Sequence, residues 1–122
     1  MAEDIFDERE KSYEAKYKLD EERRFKAVSR RNKLLGLWAA GHMGMSRNAA
    51  EDYAREVIAA SLDAPGDDGV IAKVMRDLED KGAGITEERL QGEMERLYAL
   101  ALDQITNDYP AALDTDHQQV GG

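Results

Sequence analysis

The sequence predicts an all-α protein: an antiparallel four-helix bundle with a mobile, helix-prone N-terminal arm and a disordered C-terminal tail. Three observations lead there. Four segments carry apolar residues at three- and four-residue spacing, the period that gathers side chains on one face of a helix. Short turns rich in Gly, Pro and capping residues separate them. No run alternates with period two and β-branched residues are sparse, so no strand is predicted.

The first helix spans about Asp4 to Met43 with no proline inside it. Its second half carries Phe25, Val28, Leu34, Leu35, Trp38 and Ala39, of which positions 28, 35, 38 and 39 share a face. "GHMG" ends it, with Gly41 or Gly44 able to take the left-handed conformation just past the last turn. Ser46 is the expected N-cap of a second helix that runs to about Ser61 and presents Tyr53, Ala54, Val57 and Ile58. "LDAPGDDG" breaks the pattern: Pro65 disfavours helix at Ala64, and Asp67 or Asp68 is expected to cap the third helix. That helix carries Val70, Ile71, Val74, Met75 and Leu78 and stops at "KGAG", with Gly82 past its end. Thr86 caps the fourth, whose stripe is Leu90, Met94, Leu97, Ala101 and Ile105 and which Pro110 closes. Glu87 and Glu88 sit in its first turn, where the helix dipole favours acids. These breaks give an arm over residues 1–18, a bundle over 19–109 and a tail over 110–122.

Lengths set the arm apart. At ~1.5 Å per residue the first helix is about 60 Å long, against about 20 to 33 Å for the others. Only its second half can find neighbours in a compact bundle. The first half, "FDEREKSYEAKY", has good helix formers and opposite-charge pairs such as Asp7 and Lys11, each worth only ~0.2–0.5 kcal/mol. Ile5, Phe6, Tyr13 and Tyr17 draw a thin apolar line along it. Two readings fit. The segment is an exposed, frayed terminus, or it orders in a partner's groove with that line inward and the charges at the rim.

Composition removes several classes of function. The 122 residues suffice for one small domain. There is no cysteine, and His42 and His117 are too few and too far apart for a zinc site or a catalytic triad. No apolar run approaches the ~20 residues that span a bilayer, and "MAEDIFDERE" lacks the apolar core of a signal peptide, so the expected location is the cytoplasm. A net charge of −9 argues against a general nucleic-acid binder. The charge is uneven: residues 1–45 hold ten Lys/Arg and nine Asp/Glu, residues 46–122 seven and seventeen. Six bases and no acid lie between Arg23 and Lys33, so a basic collar separates the arm from an acidic body.

"FDEREKSYEAKY", "FKAVSRRNKLLGLWAAG" and "PGDDGV" together resemble the zeta-type inhibitor subunit of the alphaproteobacterial F1-ATPase. The likeness runs from about Phe6 to Ile105, and "RRNKLLGLWAAG" is its most specific block. It implies a four-helix bundle whose N-terminal arm enters a catalytic α/β interface of F1, touches the rotor subunit γ and blocks ATP hydrolysis. Under this resemblance Ile5, Phe6, Tyr13 and Tyr17 are apolar contacts, and Arg9, Glu10, Lys11, Glu14 and Lys16 are rim pairs that fix the register. It places the protein at the inner membrane through F1FO, with no direct insertion. It also implies ADP or ATP as a regulatory ligand of the bundle, while no cofactor is required. Two departures stand out: the tail past Tyr109 is longer than the family core needs, and Gly92 interrupts the fourth helix.

From the residues alone, Arg30, Arg31 and Lys33 are candidates to hold phosphate, with Trp38 or Tyr53 to stack on a base. The plainer readings are that these bases form a solvated face or pair with acids of the later helices, and that Trp38 is core. There is no Walker loop and no GxGxxG. "DAPGDDG" fails as a calcium loop: with Asp63 in first place, Pro65 is third and Val74 twelfth, where ligands are needed. No acid pair has a general acid or base partner, so no enzymatic activity is expected. The remaining alternatives are a nucleotide-sensing bundle with a weak arm, and a small adaptor that sets its collar on RNA.

Overall fold

The structure, a computed structural model, describes residues 2–107, with side chains described from Asp20 onward. The expected tail at 110–122, Pro110 and the side chains of the arm lie outside the described residues. Four α-helices follow one another: α1 (Ala2–His42), α2 (Arg47–Ser61), α3 (Asp68–Asp80) and α4 (Glu87–Thr106), with no strand among the described residues.

The turns work by the expected chemistry. After α1, Gly44 takes φ 73° and the Met45 N–H donates back to the Ala40 carbonyl at 3.0 Å, which satisfies a carbonyl of the last turn. Gly82, at φ 64°, does the same after α3, where the Ala83 N–H donates to Leu78 at 3.0 Å. The Ser46 hydroxyl accepts from the Ala49 N–H, and the Thr86 hydroxyl accepts from the Arg89 N–H. Asp67 holds the N-cap position of α3, but its carboxylate makes no capping bond. It turns toward Arg31 instead.

Neighbouring helices run antiparallel. Gly36 of α1 faces Ala54 of α2, at equal distances from the turn between them. Tyr53 of α2 meets Asp77 of α3 across the next turn. Arg30 of α1 meets Gln104 near the end of α4.

The expected stripe on α1 is too narrow. From Ala27 to Ala40 every residue is buried or half-buried, including Leu34, Leu35, Leu37, Trp38, Ala39 and Ala40. The physical reason is topological: α1 is the central element and packs against α2, α3 and α4. The other three bury one face each, through Ala50, Tyr53, Ala54 and Val57 on α2, Val70, Val74 and Leu78 on α3, and Leu90, Met94, Leu97 and Ala101 on α4. Full burial of a Val- or Leu-sized side chain contributes ~1.5–3 kcal/mol before chain entropy is set against it. Phe25, the first apolar residue of that half, is 66% exposed, because it lies just before burial begins at Ala27.

Candidate functional site

From Asp20 to Lys26 every side chain of α1 is exposed, and at Ala27 burial begins. The exposed turns pass from acids (Asp20, Glu21, Glu22) to bases (Arg23, Arg24, Lys26) with Phe25 among them. Beyond them lie the expected partner contacts Ile5, Phe6, Arg9, Glu10, Lys11, Tyr13, Glu14, Lys16 and Tyr17. Their backbone belongs to the same unbroken helix, and their side chains are outside the described residues.

The basic collar divides. Arg23, Arg24 and Lys26 face outward, Lys33 is half-buried, and Arg30 and Arg31 are buried. The Arg30 Nε–H donates to Gln104 Oε1 at 2.9 Å. Arg31 forks: its Nη1–H donates to Asp67 Oδ2 at 3.2 Å and its Nη2–H to Asp67 Oδ1 at 2.7 Å. The same guanidinium donates to Asn32 Oδ1 from Nε at 3.1 Å and from Nη2 at 2.8 Å. A planar guanidinium with five N–H donors suits this double duty, and a buried charge without such partners would be costly. Arg31 thus fastens the α2–α3 turn to α1.

Two grooves flank α1 where it enters the bundle. One, of about 510 Å³, is lined by Arg24, Val28, Arg31 and Asp67 on one side and Met94 and Tyr98 on the other. The second, of about 450 Å³, lies between Phe25, Lys26, Arg30 and Lys33 of α1 and Ile58 and Ile105. The four nucleotide candidates, three for phosphate and Trp38 for the base, are therefore not brought together. Arg31 lines the first groove, Arg30 and Lys33 line the second, and Trp38 lines neither. Trp38 is 4% exposed in the core, with the His42 ring edge-on at 4.8 Å. Sequence reasoning missed Arg24 and Tyr98 at the first groove and Ile58 and Ile105 at the second, because nothing in a single helix's pattern shows which helices meet there.

Tyr53 also faces polar groups, away from either groove. Its hydroxyl donates to Asp77 Oδ2 at 2.8 Å, and Lys73 pairs with the same carboxylate at 3.1 Å while lying over the Tyr53 ring. Burial first, then the hydrogen bond and charge of Asp77, push the phenol pKa well above its ordinary value. No group of three or more His, Cys, Asp or Glu among the described residues is arranged to hold a metal ion. No helix among them is long and apolar enough to cross a membrane.

Residues 1–104 match a family model described as ATPase inhibitor subunit zeta. A protein whose structure was solved in solution by NMR is 39% identical, with 69% of this chain and 95% of that one covered, at a TM-score of 0.62. No curated protein matches the chain.

Proposed function

The chain belongs to the ATPase inhibitor subunit zeta family, and from that premise we propose that it blocks ATP hydrolysis by F1 with residues 1–18. That arm enters a catalytic interface between the α and β subunits beside the rotor, and residues 19–109 stay outside as a stop. Membership makes the protein a regulatory inhibitor subunit; the insertion is our reading of how it acts.

One observation carries the reading. α1 is a single helix of 41 residues, and its second half is the buried centre of the bundle. The arm is thus continuous with the best-anchored element of the molecule, through turns that touch little else. The rotary cycle of F1 opens and closes its catalytic interfaces. A segment that binds one interface state better than the others adds its differential affinity to the cost of leaving that state. A stiff helix rooted in a bundle too large to follow transmits that penalty without stretching. The apolar line of Ile5, Phe6, Tyr13 and Tyr17 would bind inward, and Arg9, Glu10, Lys11, Glu14 and Lys16 would set the register at the rim.

The test is ATP hydrolysis by F1 stripped of its own inhibitor, titrated with the full chain and with a chain lacking residues 1–18. Inhibition by the first and not by the second is the expected result. Equal inhibition by both would move the activity from the arm to the bundle and overturn the reading.

A second reading, ADP or ATP as a ligand of the bundle, is favoured by the 510 Å³ groove, which is of ligand-pocket size and brings Arg24, Arg31 and Tyr98 together. Calorimetric titration with ADP tests it. Binding that is lost in Arg24→Ala, a substitution at an exposed position, supports this groove; binding unchanged by Arg24→Ala removes it.

A further inference from the structure

The groove at Phe25 has no role in the proposed inhibition, yet it breaks the usual rule for side chains. Phe25 is 66% exposed and Leu62 72% exposed, the large hydrophobic side chains left most open among the described residues. Leu62 follows Ile58 by one helical turn, so it extends the same row of α2 toward the Phe25 end of α1. Half-buried Ile58 and Ile105 line the groove beside Phe25. A smaller hollow of about 210 Å³ continues the groove to the end of α4, where Ile105 and Thr106 meet Glu22, Arg23 and Lys26.

We propose that this groove is the seat of the chain's own C-terminal segment, residues 108–122. Three observations favour that occupant. The first is position. α4 ends at Thr106, on the wall of the hollow that leads to Phe25. A chain spans at most ~3.3–3.6 Å per residue, which keeps Tyr109 within about 14 Å and Leu113 within about 28 Å of Ile105. Both can reach the groove, and neither can go far from it. The second is chemistry. Residues 108–122 hold Asp108, Asp114 and Asp116 and no Lys or Arg, and Tyr109 and Leu113 are spaced between the acids. The hollow is lined by exposed Arg23 and Lys26, with Glu22 the one acid in its lining. Apolar side chains for an apolar lining and carboxylates for basic residues are complementary on both counts. The third is extent. The family match stops at residue 104, so the segment lies beyond the matched residues, and it begins beside an apolar surface that the described residues leave uncovered.

Seated there, Tyr109 and Leu113 cover Phe25, Ile58 and Ile105, and the acids face Arg23 and Lys26. The cover lies on the turn of α1 that leads out of the bundle. A second copy of the chain or an outside protein could fill the same groove, and the test separates them from the segment.

The chain has no cysteine, so a spin label can be placed at one chosen site. Glu22→Cys puts it beside the groove; Lys81→Cys puts it at the exposed end of α3. Amide signals of residues 111–116 are then read in the full chain. Expected is strong weakening of these signals by the Glu22 label and little by the Lys81 label, unchanged on tenfold dilution. Tyr109→Ser combined with Leu113→Ser, or Phe25→Ser alone, should restore most of the lost intensity. Equal effects from the two labels would overturn the proposal. So would weakening that survives the serine substitutions, which is proximity without docking. Weakening that fades on dilution assigns the groove to a second copy, and groove signals indifferent to the serines leave it to an outside partner; either result overturns it.

Discussion

Gly36 of α1 and Ala54 of α2 bring two helix backbones into direct contact. A Cβ on Gly36 would stand 2.6 Å from the Ala54 Cα and 3.1 Å from its Cβ. The atom met first is backbone, which cannot swing aside. Leu35 and Leu37 on either side are buried, so the close approach lies in the middle of the core.

Gly36→Ala therefore sets two effects against each other. Alanine favours the helix by about 1 kcal/mol over glycine. Overpacking a tight core costs about 1–3 kcal/mol, and here α1 and α2 must part to make room. The first atom met is backbone, so the clash wins, for a net loss of up to about 2 kcal/mol, read as a lower midpoint in urea or heat. Gly92→Ala is the control. Its added Cβ meets nothing within 4 Å on the exposed face of α4, so the same substitution should stabilise there.

Asp67→Ala tests the fork on Arg31. Arg31 is 6% exposed, and without Asp67 two of its N–H groups lose their acceptor. Asp67 keeps nearly half its surface in water, so solvent offsets part of the loss. A destabilisation of about 1–2 kcal/mol is expected, in the range of a hydrogen bond to a charged group. Calorimetry measures it. Asp68→Ala, on an exposed neighbour, should cost less.

Tyr53 supplies a dependence on alkaline pH. Its phenol pKa is raised in the fold, through burial and the bond to Asp77, so the folded state holds that proton more tightly than the unfolded chain does. The stabilisation is complete below the unfolded value of about 10 and is lost as pH rises toward the folded value. Loss proceeds at no more than about 1.4 kcal/mol per pH unit. Tyr53→Phe should cost about 1 kcal/mol at neutral pH, where the bond to Asp77 is missing. Above about pH 10 the gap between the two proteins should narrow, because phenylalanine has no proton to lose. Denaturation at pH 8, 10 and 11 checks it, and a gap that stays constant would contradict the shift.

Much of the fold was legible in the sequence. Helical spacing marked all four helices, and Ser46, Thr86 and Gly82 took the positions their chemistry favours. These are local signals, carried by residues a few places apart. The non-local features escaped. Nothing in the spacing of Leu34, Leu35 and Leu37 says that α1 is the central helix, buried on nearly every side. For Arg30 and Arg31 a phosphate site, a solvated face and pairing with later acids all stayed open, because their partners, Gln104 and Asp67, lie 74 and 36 residues away. Phe25 stood in the same list as Leu34 and Trp38, because an apolar residue in a helix carries no mark of where the bundle ends. Of the two capping candidates, Asp67 and Asp68, Asp67 holds the N-cap position of α3, but its bond to Arg31 in place of a capping bond could not be foreseen from the turn alone.

The continuity of α1 between arm and bundle is itself open to test at Glu21, which is exposed and lies six residues before burial begins. Proline in a helix interior removes one backbone bond and clashes with the carbonyl four residues back, at a cost of about 3 kcal/mol or more. At residue 21 that cost falls on the exposed turns, so the bundle's unfolding midpoint should not move. If the arm acts as one rod with the bundle, Glu21→Pro must spend this energy to present residues 1–18 in the bound geometry. At about 1.4 kcal/mol per tenfold, inhibition of F1 should weaken by roughly 100-fold. Glu21→Ala, which keeps the helix and removes only the charge, should inhibit like the parent. If Glu21→Pro inhibits as well as the parent, the arm works as a tethered peptide and the unbroken helix has no part in the mechanism. If Glu21→Ala fails alongside it, the carboxylate itself contacts the ATPase, and the interface extends inward past residue 18.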